Sequence, residues 1–148
     1  RVNYLVKTVD VLKLSDDDLL WLTGPTRDRT DPVAGALRKL DYNQYGLVIV
    51  TEGPRGVRAL WRGETVRVPG FKVKVAETTG CGDAFMAGVI SKLAPLCKEG
   101  LACITPDFLS ETLTWANACA AIVATRYGAA ISMPTTREVN EFLEDQGK

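Results

Sequence analysis

The sequence contains no histidine. That absence excludes Ser-His-Asp and Cys-His catalysis as usually assembled, the zincin motifs, and most mixed zinc sites. An excess of charge of either sign is missing too, since 18 Lys and Arg balance 18 Asp and Glu. Nothing therefore forms an electrostatic footprint for nucleic acid or an anionic membrane. No apolar run reaches the roughly 18 residues needed to cross a bilayer, and no signal-peptide pattern is present. The four cysteines, Cys81, Cys97, Cys103 and Cys119, contain no C-x-x-C pair, so zinc ribbons and thioredoxin-like sites lack a basis. With 148 residues, 46% of them hydrophobic, the chain can build one core without disulfide staples. Reduced thiols in a soluble cytoplasmic protein are expected. The chain opens at Arg1 rather than at methionine, and a fragment of a longer protein is the expectation.

What is present is a set of short, well-punctuated elements without repeats or low-complexity linkers. Val9 to Leu14 alternates and predicts a strand. Ser15 followed by Asp16, Asp17 and Asp18 has the composition of a helix start, because acids complement the exposed amides and the dipole there. Thr23-Gly24-Pro25 ends that helix. Asp31-Pro32 predicts a second one to about Leu40. Leu47 to Val50 is a continuous apolar run suited to a strand buried on both faces, and Thr51 to Gly56 follows as a glycine-rich loop. Val57, Ala59 and Trp61, then Val66 and Val68 across Arg62-Gly63-Glu64, predict a hairpin, and Phe71 to Val75 one more strand. A helix from Gly82 or Asp83 is expected to run past Leu93, and another from Thr105-Pro106 to about Arg126, with a small-residue surface from Ala116 to Ala124 for close packing. Thr135 with Glu138 predicts a capping box for a terminal helix. Strands, a hairpin and long helices imply an α/β fold with a mostly parallel sheet.

The segment richest in chemistry is Glu77-Thr78-Thr79-Gly80-Cys81-Gly82-Asp83-Ala84-Phe85. Two glycines precede a helix and a carboxylate sits in its first turn. The glycines free the backbone to approach a ligand, and amides at a helix N-terminus attract phosphate oxygens. Asp83 either accepts a proton from an attacking hydroxyl, works through a metal, or simply caps the helix while the glycines make the turn. The segment is not a Walker loop, for it lacks the lysine and the following serine or threonine, and it lacks the third glycine of a dinucleotide fingerprint.

This segment closely resembles the second signature of the ribokinase-like (PfkB) carbohydrate kinases, D-T-T-G-A-G-D-x-F. Other stretches resemble the family in its own order. Val50 to Gly56 looks like the V-T-x-G-x-x-G nucleotide loop, Trp115 to Ala121 like the helix beside adenine, and Thr125 to Ala129 like the T-R-x-G-A turn near a monovalent cation. Lys13 to Gly24 is similar to the K-x-S-x-x-E…T-G stretch of fructokinase-like members. The resemblance implies a three-layer αβα fold and ATP-dependent phosphorylation of a sugar hydroxyl, with fructose favoured. It implies Asp83 as catalytic base, the amides of Gly80, Cys81 and Gly82 as an anion hole, and Thr51, Gly53, Gly56 and Asn117 around the nucleotide. Asp18 takes the role of the glutamate that holds the water shell of Mg²⁺, and Glu77, Thr79, Gly128 and Ser132 that of a K⁺ site. It also implies that residues 1–148 are the C-terminal nucleotide-binding part of one kinase domain. The sugar-binding part and a lid, through which a homodimer would form, lie upstream, and the fragment alone is inactive. Three positions depart from the pattern: Glu77 for aspartate, Asp18 for glutamate, and Cys81 for alanine or glycine. The Cys81 thiol beside a helix N-terminus favours thiolate, so oxidation there could block the anion hole; the other reading is an inert buried cysteine. The alternative to an enzyme is a catalytically silent member that binds nucleotide or serves as an interaction subunit.

Overall fold

In the computed structural model, which describes residues 9–40, 45–96 and 100–148, helix starts follow capping chemistry. The first strand, β1 (Val11–Ser15), runs directly into α1 (Asp16–Thr23). Ser15 accepts the Asp18 amide through its hydroxyl at 3.1 Å, and Asp18 returns a carboxylate oxygen to the Ser15 amide at 3.1 Å. A cap of this kind contributes about 1 kcal/mol. Asp31 caps α2 (Pro32–Leu37) by accepting the Ala34 amide at 3.0 Å. That helix is shorter than expected, because the residues that follow continue with turn-type bonds from Lys39 and Leu40.

Next come β2 (Leu47–Thr51), a 3₁₀ turn (Gly53–Arg55), β3 (Val57–Trp61) and β4 (Glu64–Val68). The sheet order is β1-β2-β3-β4. Strands β1 and β2 are parallel, with Val11 opposite Leu47; β2 and β3 are antiparallel, with Thr51 opposite Val57. Arg62 and Gly63 both have positive φ, 50° and 82°, which is the backbone a two-residue hairpin turn demands. The mostly parallel sheet expected from the sequence is thus represented by one parallel pair, and the described sheet is mixed.

The chain divides into two units, Arg1–Gly53 with Val57–Arg67, and Pro54–Gly56 with Val68–Lys148. In the first, Leu12, Leu19, Val33, Leu37, Val48, Val50 and Leu60 form a core. Both β2 and β3 are buried nearly throughout, including Arg58. The alternation in β3 suggested one buried face; instead, both faces are covered.

The second unit is helical: α3 (Cys81–Leu93), α4 (Pro106–Ala124) and α5 (Thr136–Asp145). A Cβ on Gly88 would lie 2.9 Å from Ala116 Cα, so the small residues expected on α4 do bring α3 and α4 together. Ala84, Ala118, Ile122, Val123 and Val139 are at the centre of this core. The strand expected at Phe71 to Val75 is absent. Phe71 packs edge-on against Phe142, with ring centroids 5.1 Å apart, and the amides of Ala76 and Glu77 donate to the last carbonyl of α4, that of Ala124, at 2.7 and 3.3 Å. The segment is fastened to helices, not to a neighbouring strand. Among the described residues no helix is long and apolar enough to cross a membrane. No disulfide forms among the described cysteines, and Cys97 lies outside the described residues.

Candidate functional site

Helix α3 begins one residue earlier than the sequence suggested, at Cys81, because Gly80 serves as its N-cap with φ 85° and ψ −7°. A side chain is strained in that left-handed conformation. Here it would also collide, since a Cβ on Gly80 would stand 2.9 Å from Ala129 Cβ. Gly80 has no side chain with which to cap, so the first-turn amides depend on other partners. The Cys81 amide donates to Thr78 O at 3.2 Å, and the first helical bond runs from the Ala84 amide to Gly80 O at 2.9 Å. Among the described residues the amides of Gly80, Gly82 and Asp83 have no acceptor. Of the three expected anion-hole donors, Cys81 is therefore engaged in the turn, while the Asp83 amide joins the free set.

Asp83 is exposed at the third position of the helix, and among the described residues nothing hydrogen-bonds or ion-pairs with its carboxylate. It does not cap α3. This removes the purely local role that spacing alone left open.

The loop is clamped from behind. Glu77 accepts the Gly128 amide at 3.0 Å. Gly128 itself has φ 88°. The bonds from the Gly128 amide and then the Thr79 hydroxyl hold the Glu77 carboxyl below the usual glutamate range. Ser132, 2% exposed, donates to Tyr127 O at 2.8 Å. The structure thus brings Glu77 and Thr79 together with the turn that carries Gly128 and Ser132. Arg126, the arginine of the T-R-x-G-A turn, donates to Ser132 O at 3.3 Å and to Glu138 at 2.5 Å, tying this turn to α5, a role the sequence reading did not give it. Twelve positions separate Arg126 from Glu138, so no local pattern signals that clamp.

Cys81 corrects an expectation. Burial pushes its thiol up, and the negative charge of Glu77 adds to the effect. The helix start does not make it a thiolate, and the inert reading fits. Cys119 is raised further, to about 11, again by burial.

The residues expected around a nucleotide fall in both units. In the second, Gly56 has φ 102°, and a Cβ there would run into Val68 O, with Gly70 N at 2.5 Å. Asn117, 8% exposed, donates its side-chain amide to Pro69 O at 3.1 Å. Gly56 and Asn117 therefore both press on Val68 to Gly70, a stretch the sequence reading did not single out. In the first unit, Thr51 ends β2 and Gly53 follows with φ 56° and open space where a Cβ would point. Asp18 is exposed, with one oxygen on the Ser15 amide, and its carboxyl is held low chiefly by hydrogen bonds from Ser15. Among the described residues no group of three or more His, Cys, Asp or Glu could hold a metal.

A family model for pfkB family carbohydrate kinases matches residues 2–136. The chain belongs to this family. It is similar to probable fructokinase-6, chloroplastic, of Arabidopsis thaliana, 38% identical over 138 residues, covering 93% of this chain and 34% of that protein. Fructokinase from Vibrio cholerae O395, solved with fructose, ADP and calcium ion, superposes with a TM-score of 0.80 at 30% identity, over 96% of this chain and 43% of that one. A second structure of that enzyme, a double mutant, contains fructose, ADP and potassium ion. Ribokinase from Thermotoga maritima gives a TM-score of 0.72 at 30% identity, over 95% and 44%. The fold is accordingly ribokinase-like α/β. The pfkB chain described here spans less than half the length of these relatives.

Proposed function

We propose that this chain is the nucleotide-binding, C-terminal part of an ATP-dependent sugar kinase, with residues 1–148 belonging to one kinase domain whose sugar contacts and lid are supplied upstream. The phosphate acceptor is a hydroxyl of a small carbohydrate, with fructose first. The observation that carries this reading is the combination at the start of α3: free amides of Gly80, Gly82 and Asp83 beside an exposed carboxylate that caps nothing. A capping aspartate would be occupied; this one is available to take a proton.

The reaction asks the protein for alignment and charge stabilisation. Asp83 accepts the proton of the sugar hydroxyl as its oxygen attacks the γ-phosphorus and the bond to ADP breaks. The free amides of Gly80, Gly82 and Asp83 take up charge on the transferring phosphoryl oxygens, a role worth about 3–4 kcal/mol per donor in other enzymes. The Cys81 amide joins them only by releasing Thr78. Gly80 must remain glycine, because Ala129 occupies the space behind it. Thr51, Gly53, Gly56 and Asn117 line the nucleotide, and Gly56 and Asn117 do so through the Val68–Gly70 backbone they support.

Mg²⁺ held mainly by nucleotide phosphates and water needs only one or two protein carboxylates. Asp18 would touch its water shell through the oxygen not given to Ser15, and the ion would neutralise phosphate charge. A monovalent cation such as K⁺ fits the oxygen-rich pair of turns carrying Glu77, Thr79, Gly128 and Ser132. The absence of disulfides among the described cysteines suits the cytoplasm.

A coupled ADP-release assay of the full-length protein with ATP and a panel of sugars tests the reading. Fructose-dependent ADP release is expected. If ATP binds and no sugar accelerates its turnover, the silent nucleotide-binding alternative replaces the kinase. If ATP does not bind, both fail.

A further inference from the structure

The first unit contains a buried charge cluster that the chemistry above does not use. Arg58, in the middle of β3, is 7% exposed and Glu52 is 3% exposed. The guanidinium grips Glu52 with two bonds, Nε to Oε1 at 2.5 Å and Nη2 to Oε2 at 3.1 Å. Its Nη1 reaches Asp31 Oδ2 at 2.6 Å. Asp31 uses its other oxygen to cap α2. Burial alone would lower the Arg58 pKa, but the two carboxylates more than offset it and keep the guanidinium charged.

A guanidinium and a carboxylate taken out of water, with a second, half-exposed carboxylate beside them, are an expensive way to hold a hairpin. A well-packed apolar pair is often as stable or more so. What the fork supplies instead is direction, because a bidentate guanidinium fixes the plane of the carboxylate it holds. Glu52 is the residue between Thr51 and Gly53. Its side chain is locked inward, so the peptide on each side of it is locked as well. Gly53, at φ 56°, opens onto empty space.

We infer that Arg58 is a positioning residue for nucleotide binding, acting through its two-bond grip on Glu52 to set the Thr51–Gly53 backbone. The inference rests on the sugar-kinase reading and adds to it a residue that touches no substrate. Loss of the fork misaligns the nucleotide loop without disturbing Asp83 or the sugar.

The test is steady-state kinetics and melting of the full-length protein. Arg58→Lys keeps the charge and loses the fork. It should raise KM for ATP about tenfold while kcat and KM for the sugar stay within about twofold. The paired variant Glu52→Leu with Arg58→Met replaces the charges by apolar groups. It should melt at or above the wild-type temperature and still show the raised KM for ATP. A stable paired variant with wild-type KM for ATP would overturn the inference, as would Arg58→Lys with unchanged KM. So would a paired variant that cannot fold, since the network would then be a requirement of the fold alone. Wild-type protein that phosphorylates no sugar and binds no ATP removes the kinase reading itself, a result distinct from all of these.

Discussion

The two loops assigned to ATP are held by opposite means. Thr51 to Gly53 is directed by side-chain charge: Glu52 is gripped by Arg58, which also reaches Asp31. Glu77 to Asp83 is shaped by backbone: Gly80 lies against Ala129 with no room for a side chain, and Glu77 accepts a main-chain amide from Gly128. A charge-held loop can loosen in part when its fork is altered. A loop fixed by a left-handed glycine and a steric wall has no partial state, so damage there should be abrupt. The difference matches the work proposed for each. Nucleotide affinity tolerates graded change, whereas phosphoryl transfer needs donors fixed in advance.

Removing the base should do the most damage. Asp83→Asn in the full-length protein is expected to lower kcat by about a thousandfold with little change in ATP affinity. Initial rates and equilibrium nucleotide binding measure the two separately, and near-normal turnover would remove the assignment. Gly80→Ala comes next. It places a Cβ 2.9 Å from that of Ala129 at φ 85°, and kcat should fall about a hundredfold as the amides shift. A graded loss of ATP affinity with intact kcat would erase the contrast between the loops. Gly56→Ala is milder in its effect on turnover. A left-handed alanine with its Cβ driven into Val68 O should nonetheless cost more stability than the about 1–3 kcal/mol of backbone strain alone, read by denaturant melts, and should raise KM for ATP more than it lowers kcat.

The smallest effect concerns the clamp behind the second loop. The Glu138 carboxyl is depressed from 4.5 to about 2 by the Thr135 amide and then Arg126. A group with a lowered folded pKa stabilises above its unfolded value, and that contribution fades as pH falls through the folded one. The melting temperature should therefore drop between about pH 4.5 and 2, and Glu138→Gln should flatten that slope. An unchanged slope in the variant would assign the acid sensitivity elsewhere.

Local chemistry made much of the fold legible. Ser15 caps its helix and Thr135 with Glu138 closes the box its spacing implies, and Pro32 and Pro106 stand at the helix starts. Phe71 to Val75 misled because a short apolar-rich stretch does not say what it packs against. Its partners are Phe142 and the end of α4, tens of residues away. The candidate site was legible as a set of glycines and one aspartate. Which amides are free was not, because the bond from Cys81 to Thr78 O depends on the turn conformation. The grip of Arg58 on Glu52 was hidden for a related reason. They stand six positions apart across a glycine-containing turn, and the antiparallel pairing of β2 and β3 brings them together.

The most direct test is a crystal structure of the full-length protein with sugar, ADP and a planar fluoroaluminate in place of the transferring phosphoryl group. The account predicts fluoroaluminate within hydrogen-bonding distance of the Gly80, Gly82 and Asp83 amides, with the Asp83 carboxylate facing the sugar hydroxyl. Fluoroaluminate bound elsewhere, with these amides facing only water and Asp83 turned from the sugar, would contradict it.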